Sequence, residues 1–383
     1  MKVLLISNYR PDKQHSMLRY AQMLQYELNN RGLAVHVVHP PIVLGGFPFF
    51  PDLLKKWLGY IDKYLFAPAY LRKQAVQADI IHVCDHSNAM YLRCAGTKHA
   101  LVTCHDLLAI FGARGAYPGV KVGFTGRIQQ RWIATNLSRA QHVICVSAKT
   151  QDDLKSLAPG IRSNTAVIHH HLNWNYAPAL PQAIIEEKGK SHLEPAAEYL
   201  LHVGGNYWYK NRLGAMKIFF ALRRYPRFQD VKLITAGKSW TSEMRRYCQS
   251  TGLINEIIER VDVSNEELQA LYSGAIALLF PSLEEGFGWP VLEAQACGCP
   301  VITSNRPPMT EIAGEGALFI DPSTPERAAQ TIAEHAPDLP SLRPAGFRNL
   351  TRFAKNQMIE RYLEFYQQVA GTEERMATSS ELG

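Results

Sequence analysis

Long hydrophobic runs are missing from this chain. Nowhere among its 383 residues does an apolar stretch approach the ~18–20 residues of a membrane-crossing helix. The opening MKVLLISNY has a short apolar run that gives way at once to polar turn residues. Without a longer apolar region and a small-residue cleavage site, it reads as a buried first strand rather than a secretory leader. Cysteine is sparse and scattered: Cys84, Cys94, Cys104, Cys145, Cys248, Cys297 and Cys299 lie in apolar segments. An odd number so placed excludes a disulfide framework and a zinc-finger spacing, and suits a reducing cytoplasm. The one close pair, Cys297-Gly-Cys299, reads as a helix end followed by a strand start. No segment repeats with a solenoid period, and no nucleic-acid recognition motif occurs among the dispersed basic residues.

What is present is the balance of a globular enzyme, 46% apolar and 20% charged, in a length that suits two domains. The charge is uneven. Residues 1–190 hold 22 lysines and arginines against 11 acids, whereas the remainder holds 19 against 23. The basic half predicts an anionic partner: a phosphorylated acceptor, an anionic lipid surface or nucleic acid, the last poorly supported without a recognition motif.

Strand and helix signals alternate along the chain. VLLIS (3–7), AVHVVH (34–39), DIIHVC (79–84), ALVTCH (100–105) and HVICVS (142–147) read as short strands, and apolar residues at 17, 20, 21, 24 and 28 mark a helix stopped by Gly32. A Pro- and charge-rich stretch, 176–198, reads as the linker. The pattern then restarts with strands at 199–205, 231–237, 275–282, 300–304 and 317–321. A last helix covers about 352–370, and a polar, loose tail follows from 371. The expected organisation is α/β, two doubly wound Rossmann-like domains at 1–180 and 196–350, facing across a cleft, with ligands beyond the carboxyl ends of the strands.

The most informative stretch is FPSLEEGFGWPVLEAQACGCPVITSN, 280–305. A strand ends, Gly286 and Gly288 let the backbone approach a ligand closely, and Pro290 opens a helix whose start is a seat for phosphate. Carboxylates repel phosphate but accept strongly from hydroxyls. Glu285 and Glu293 around such a turn therefore suit a ligand with phosphates in the middle and diols at both ends, a nucleotide sugar. Taken alone, the same residues also fit a strand–loop–helix turn with one capping and one solvated glutamate.

Over 262–322 the chain strongly resembles the C-terminal domain of family 4 (group 1) retaining glycosyltransferases, including their E-x7-E element, here Glu285 to Glu293. A weaker likeness covers RAQHVICVSAKTQDDL (139–154) and HVGGNYWYKNR (202–212). The resemblance implies the GT-B fold, with the helix at 351–370 returning to the N-terminal domain. It assigns Glu285 to hydroxyls of the donor sugar, Glu293 to the ribose, and the backbone of Gly286, Phe287 and Gly288 to sugar and phosphates. It assigns Lys210 to the diphosphate, whose growing negative charge a cation stabilises as the glycosidic bond breaks. His105 matches a histidine that reaches the donor sugar, and the backbone near Gly237, Lys238 and Val261 would meet the base. Gly205 and Asn206 of the donor loop stand where many members carry an arginine, a charge Arg212 can restore from the other side. The loop after the first strand departs too, with Ser16-Met17 where relatives often have two glycines, and Gln14, His15 and Ser16 would line the site there.

The implied activity is hexosyl transfer with retention from a nucleotide-diphosphate sugar to a glycan or lipid-linked acceptor, in cell-surface polysaccharide or glycolipid synthesis. No cofactor is implied. No Asp-x-Asp occurs, so the lysine and the helix start would take a metal's place. His169-His170-His171 cannot all meet one ion, since consecutive residues of an extended segment point to opposite faces. Leu54, Trp57, Leu58, Ile61 and Leu65 share one helical face within 47–73, with Lys55, Lys56, Asp62 and Lys63 on another. That helix either packs its apolar face into the core, grazes an anionic membrane peripherally from the cytoplasm, or holds a lipid-linked acceptor. An epimerase or hydrolase on the same fold, or a non-catalytic nucleotide-sugar binder, remain alternative readings.

Overall fold

Short β-branched runs alternating with helices leave the chain one ready way to bury its strands, in parallel sheets covered on both faces. The computed structural model describes residues 1–47, 51–96, 99–159 and 163–380, apart from the side chains of His15, Asp52, Leu53 and 372–380. It divides into one unit of Met1–His169 with Asn356–Gly383 and another of His170–Lys355.

In the first unit, β1 (Lys2–Ile6), β2 (Ala34–Val38), β3 (Ile80–Val83), β4 (His99–Cys104), β5 (His142–Cys145) and β6 (Asn164–Val167) form a parallel sheet ordered β2-β1-β3-β4-β5-β6. A terminal helix, Lys355–Ser380, belongs to this unit's core. It buries Met358, Ile359, Tyr362, Phe365, Tyr366 and Val369 against residues such as Leu5, Leu24 and Ile144, each burial favourable by roughly 1.5–3 kcal/mol before entropy. Polar pairs fix its register. Tyr362 meets Tyr20 at 2.5 Å, Tyr366 meets His82 Nδ1 at 2.7 Å, and His82 Nε2 meets Thr103 at 2.7 Å. Burial lowers His82 to about 3, so this network is neutral.

The second unit repeats the design with β7 (Tyr199–Gly204), β8 (Lys232–Gly237), β9 (Ile257–Val261), β10 (Ala277–Phe280), β11 (Val301–Ser304) and β12 (Ala317–Ile320), ordered β12-β11-β10-β7-β8-β9 and parallel throughout. The chain fills the sheet from β7 outward to one side, then returns to lay β10 against β7's other edge. The gap between these two is the topological switch point, where open α/β sheets bind ligands.

Several elements differ from expectation for physical reasons. β6 and β9 carry no apolar run because they are edge strands, half-exposed and partly polar. The stretch read as a linker contains a helix, Pro181–Lys190, held by its own buried Glu187. The terminal helix runs beyond 370, since no proline follows to stop it. The segment read as one amphipathic helix is a helix (Asp52–Ile61), a π-helical turn (Asp62–Phe66) and a second helix (Ala67–Ala75). Asp62, expected outside, is fully buried. It accepts from Tyr9 at 2.6 Å and from the amides of Val43, Leu44 and Gly45 at 3.1, 2.9 and 2.9 Å. Turning that carboxylate inward turns the apolar stripe outward: Leu54, Trp57, Ile61 and Leu65 are exposed, Leu65 by 68%.

Candidate active site

The second unit's site grows from two loops at the carboxyl ends of β7 and β10. After β7 the chain turns through Gly205 and Asn206, makes a short 3-10 turn over Trp208–Lys210, and enters the helix Arg212–Leu222 through Asn211, which adopts φ 52°. The Asn211 side-chain amide donates to the Pro281 carbonyl at 2.9 Å, which ties the helix start to the β10 loop. The Tyr209 carbonyl accepts from the Leu283 amide at 2.7 Å and lies 2.8 Å from the Ser282 hydroxyl. The hydroxyl of Ser304, on β11, donates to the Ser282 carbonyl. The β10 loop is thereby pinned from both sides, which is what a preorganised site requires.

On this platform Lys210 Nζ lies 2.7 Å from Glu285 Oε1, with Ser282 Oγ 2.7 Å from the same oxygen. The ammonium also lies 5.2 Å from the Phe280 ring and 5.7 Å from that of Tyr209. Three residues later Gly288, at φ 107°, opens the helix Trp289–Ala296, whose first amides no side chain caps. A Cβ there would fall 2.3 Å from Met309 Cε. His170 holds this helix start from the flank, stacked on Trp289 at 4.8 Å and 22°, with the His171 carbonyl accepting from the Trp289 indole at 3.0 Å. His170 is thus part of an aromatic stack. Among the described residues, no group of three or more histidines, cysteines or acids is arranged to hold a metal ion.

Glu293 points into the interior, 4% exposed, and accepts from Tyr272 OH at 2.9 Å and Asn173 Nδ2 at 3.0 Å. Burial raises its pKa, while those two bonds and the Lys210 charge oppose the rise. Lys210 therefore acts electrostatically on both glutamates. Such a carboxylate, with lone pairs left over, is built to accept further hydrogen bonds.

Arg212 lies under the loop rather than on its surface, 1% exposed. Its guanidinium donates to Asn206 Oδ1 at 3.0 Å, to the Ala236 carbonyl at 3.1 Å, and to the carbonyls of Gly204 and Lys238. Burial lowers it to about 10, so it stays charged at neutral pH. The arginine binds together the ends of β7 and β8. Gly237, at φ 140°, is required there, because a Cβ would fall 2.1 Å from the Gly204 carbonyl oxygen. Val261 pairs in register with Gly237 and is 42% exposed beside it.

The first unit carries a second polar cluster at its own switch point, between β1 and β3. Asp85 is buried and accepts from Asn8 Nδ2 at 2.6 Å, Ser87 Oγ at 2.6 Å and the Ser87 amide at 2.9 Å. Gln14 bonds Asn8, Ser16 is exposed at the start of the next helix, and the His15 side chain lies outside the described residues. His105, 8% exposed after β4, places Nε2 2.8 Å from the Cys84 carbonyl, and burial lowers its pKa, so the ring is neutral. Sequence reasoning missed Tyr272, Ser282, Asn8 and Asp85. Ser282 had the signal of a hydroxyl at a strand's carboxyl end, whereas Tyr272 sits in the last turn of the helix Asn265–Gly274 and had none.

Two family models match successive parts of the chain: one described as Glycosyltransferase Family 4 over residues 17–173, and one as Glycosyl transferases group 1 over residues 184–339. Together they take in well over half of it. The O-antigen chain mannosyltransferase RfbU of Salmonella typhimurium is 26% identical over 245 residues, 63% of this chain and 62% of that protein. The GDP-mannose:cellobiosyl-diphosphopolyprenol alpha-mannosyltransferase of Xanthomonas oryzae pv. oryzae is 29% identical over 160 residues, 39% of this chain and 41% of that protein. The match therefore spans less than two thirds of these relatives' lengths. Among solved structures, Anabaena HepE in complex with UDP and glucose superposes with a TM-score of 0.72 at 16% identity, covering 96% of this chain and 99% of that one.

Proposed function

The chain belongs to the family 4, group 1 glycosyltransferases, of GT-B fold, and on that premise we propose that it transfers a hexosyl residue from a nucleotide-diphosphate sugar to a hydroxyl of a glycan or lipid-linked acceptor. Mannose heads the candidate sugars, because the two relatives described above are named for mannosyl transfer. The observation that carries the reading is the cluster of Lys210, Glu285 and buried Glu293 around the β7–β10 switch point and the start of the helix Trp289–Ala296.

In this reading the diphosphate takes the Lys210 ammonium and the helix-start amides around Gly286, Phe287 and Gly288, while Glu285 turns to sugar hydroxyls. Glu293 holds the ribose. Lys210 matters most as the glycosidic bond breaks, since charge on the leaving diphosphate grows at that moment. The base rests on backbone near Gly237 and Val261. Arg212 and Asn206 fix the shape of the loop carrying Gly205 without touching the donor, and neutral His105 keeps the donor-sugar role. Transfer proceeds with retention and without a metal ion, lysine and helix start supplying the positive charge. The enzyme works in the cytoplasm in cell-surface polysaccharide or glycolipid synthesis, bound to the membrane at most peripherally. Seven buried, unbridged cysteines suit that compartment, and no described helix is long and apolar enough to cross a bilayer.

A thermal-shift screen of UDP-, GDP- and ADP-sugars tests this. One nucleotide class is expected to stabilise the protein, and Lys210→Ala or Glu293→Ala to abolish that response while the protein stays folded. An unchanged response in both variants counts against the site. Product formed without any acceptor points to an epimerase or hydrolase.

A further inference from the structure

The exposed face created by the inward turn of Asp62 borders a groove that the nucleotide-sugar site does not use. It lies within the first unit, between the helix Asp52–Ile61 with its π-helical continuation and the helix Phe124–Leu137, and encloses about 520 Å³. That volume falls in the ~300–1,000 Å³ range of small-molecule sites. Its walls are Trp57, Tyr60, Tyr64, Ile128 and Trp132, and Lys56 is the one charged side chain among its described lining residues.

The rings form a continuous ladder. Trp57 meets Tyr60 edge-on at 5.6 Å, Tyr60 lies parallel to Tyr64 at 5.7 Å and 6°, and Tyr64 meets Trp132 at 5.0 Å and 79°. The floor is fixed: Gln129 donates to Tyr64 OH at 3.0 Å, and Tyr91 donates to the Lys63 carbonyl at 2.9 Å. Yet Trp57 and Ile128 are 52% and 55% exposed. Contiguous apolar surface of this kind marks a binding face.

Charge narrows the occupant. Among the described residues no carboxylate lines the groove. The wall helix Phe124–Leu137 carries Arg127 and Arg131 and no acid. The occupant is therefore apolar along its length and anionic at one end. A bilayer surface would meet the protruding Leu54, Ile61 and Leu65, whereas the trough beside them, with rings on both walls, takes a single chain. We propose that this groove binds the isoprenoid chain of a phosphate-linked acceptor, hydrocarbon along the ring ladder and phosphate toward Lys56. The proposal rests on the acceptor side of the function given above.

Calorimetric titration of the full chain with farnesyl diphosphate, below its micellar concentration, tests it. Saturable binding is expected, at least tenfold weaker in Ile128→Glu and in Trp57→Ala. Lys56→Gln should weaken farnesyl diphosphate and leave farnesol unchanged. Ile128 and Trp57 are exposed, so both variants should fold, and their thermal response to the nucleotide sugar should match the wild type. Equal affinity for inorganic diphosphate or for dodecyl phosphate overturns the isoprenoid assignment. So does binding to anionic vesicles without isoprenoid while farnesyl diphosphate fails to bind, or a wild-type dimer that Ile128→Glu dissociates. Absence of a donor response in the wild type would instead sink the functional reading, and the titration would still report on the groove.

Discussion

Replacing Arg212 by lysine should damage the second unit far more than it damages nucleotide recognition. The guanidinium joins four acceptors, the carbonyls of Gly204, Ala236 and Lys238 and the side chain of Asn206. A lysine has one nitrogen and cannot span that fork. Each bond from a charged donor contributes about 1.5–3 kcal/mol, but the losses are not additive. Lysine keeps the charge, but leaving two of these buried acceptors without a donor costs about 2–6 kcal/mol. For a unit of this size that corresponds to a melting shift of about 4–24 °C. Scanning calorimetry should show one transition moving by that amount and the other staying in place. Titration of the nucleotide sugar well below both transitions should show an affinity loss smaller than that of Lys210→Ala. A melting point within about 1 °C of wild type, together with a donor affinity as poor as that of Lys210→Ala, would refute the positioning role and put the arginine on the ligand.

Donor affinity should depend on pH through Glu293. Burial raises its pKa above the 4.5 of an exposed glutamate, and only the ionised form accepts both ribose hydroxyls. Affinity should therefore fall as pH drops through the raised value, approaching about tenfold per pH unit, and Glu293→Gln should flatten the profile. The same shift favours folding below the exposed value and loses that contribution as pH rises through the raised one. Asp62 has the opposite sign. Burial pushes it up, but the bonds from Tyr9 and three amides outweigh that and hold it below the usual 3.8. Its contribution to stability is present above 3.8 and lost as pH falls through the lower folded value. Asp62→Asn should cost about 1–3 kcal/mol and speed amide exchange at Val43, Leu44 and Gly45, without altering the thermal response to donor.

The parts of the molecule legible in the sequence were those with local causes. Central strands announced themselves by β-branched runs bounded by turn residues, and Glu285, Gly288, Pro290 and Glu293 stood together because one loop and one helix start carry them all. Edge strands β6 and β9 were missed because half-exposed strands need no apolar run, and β9 carries Glu259 and Arg260 in its middle. The direction of Asp62 was illegible for a different reason. Its partners are Tyr9 and a loop 17–19 residues upstream, and helical periodicity holds no record of them. Arg212 likewise read as a charge facing the donor, because the carbonyls that enclose it belong to the ends of two strands brought together only by the sheet.

The most direct measurement is the electron density of a crystal soaked with the nucleotide sugar that the thermal screen selects. The diphosphate should lie against Lys210 Nζ and the amides at Gly286 to Gly288, with both ribose hydroxyls on Glu293. A nucleotide bound away from the carboxyl ends of β7 and β10, with the Lys210–Glu285 pair undisturbed, would contradict the account.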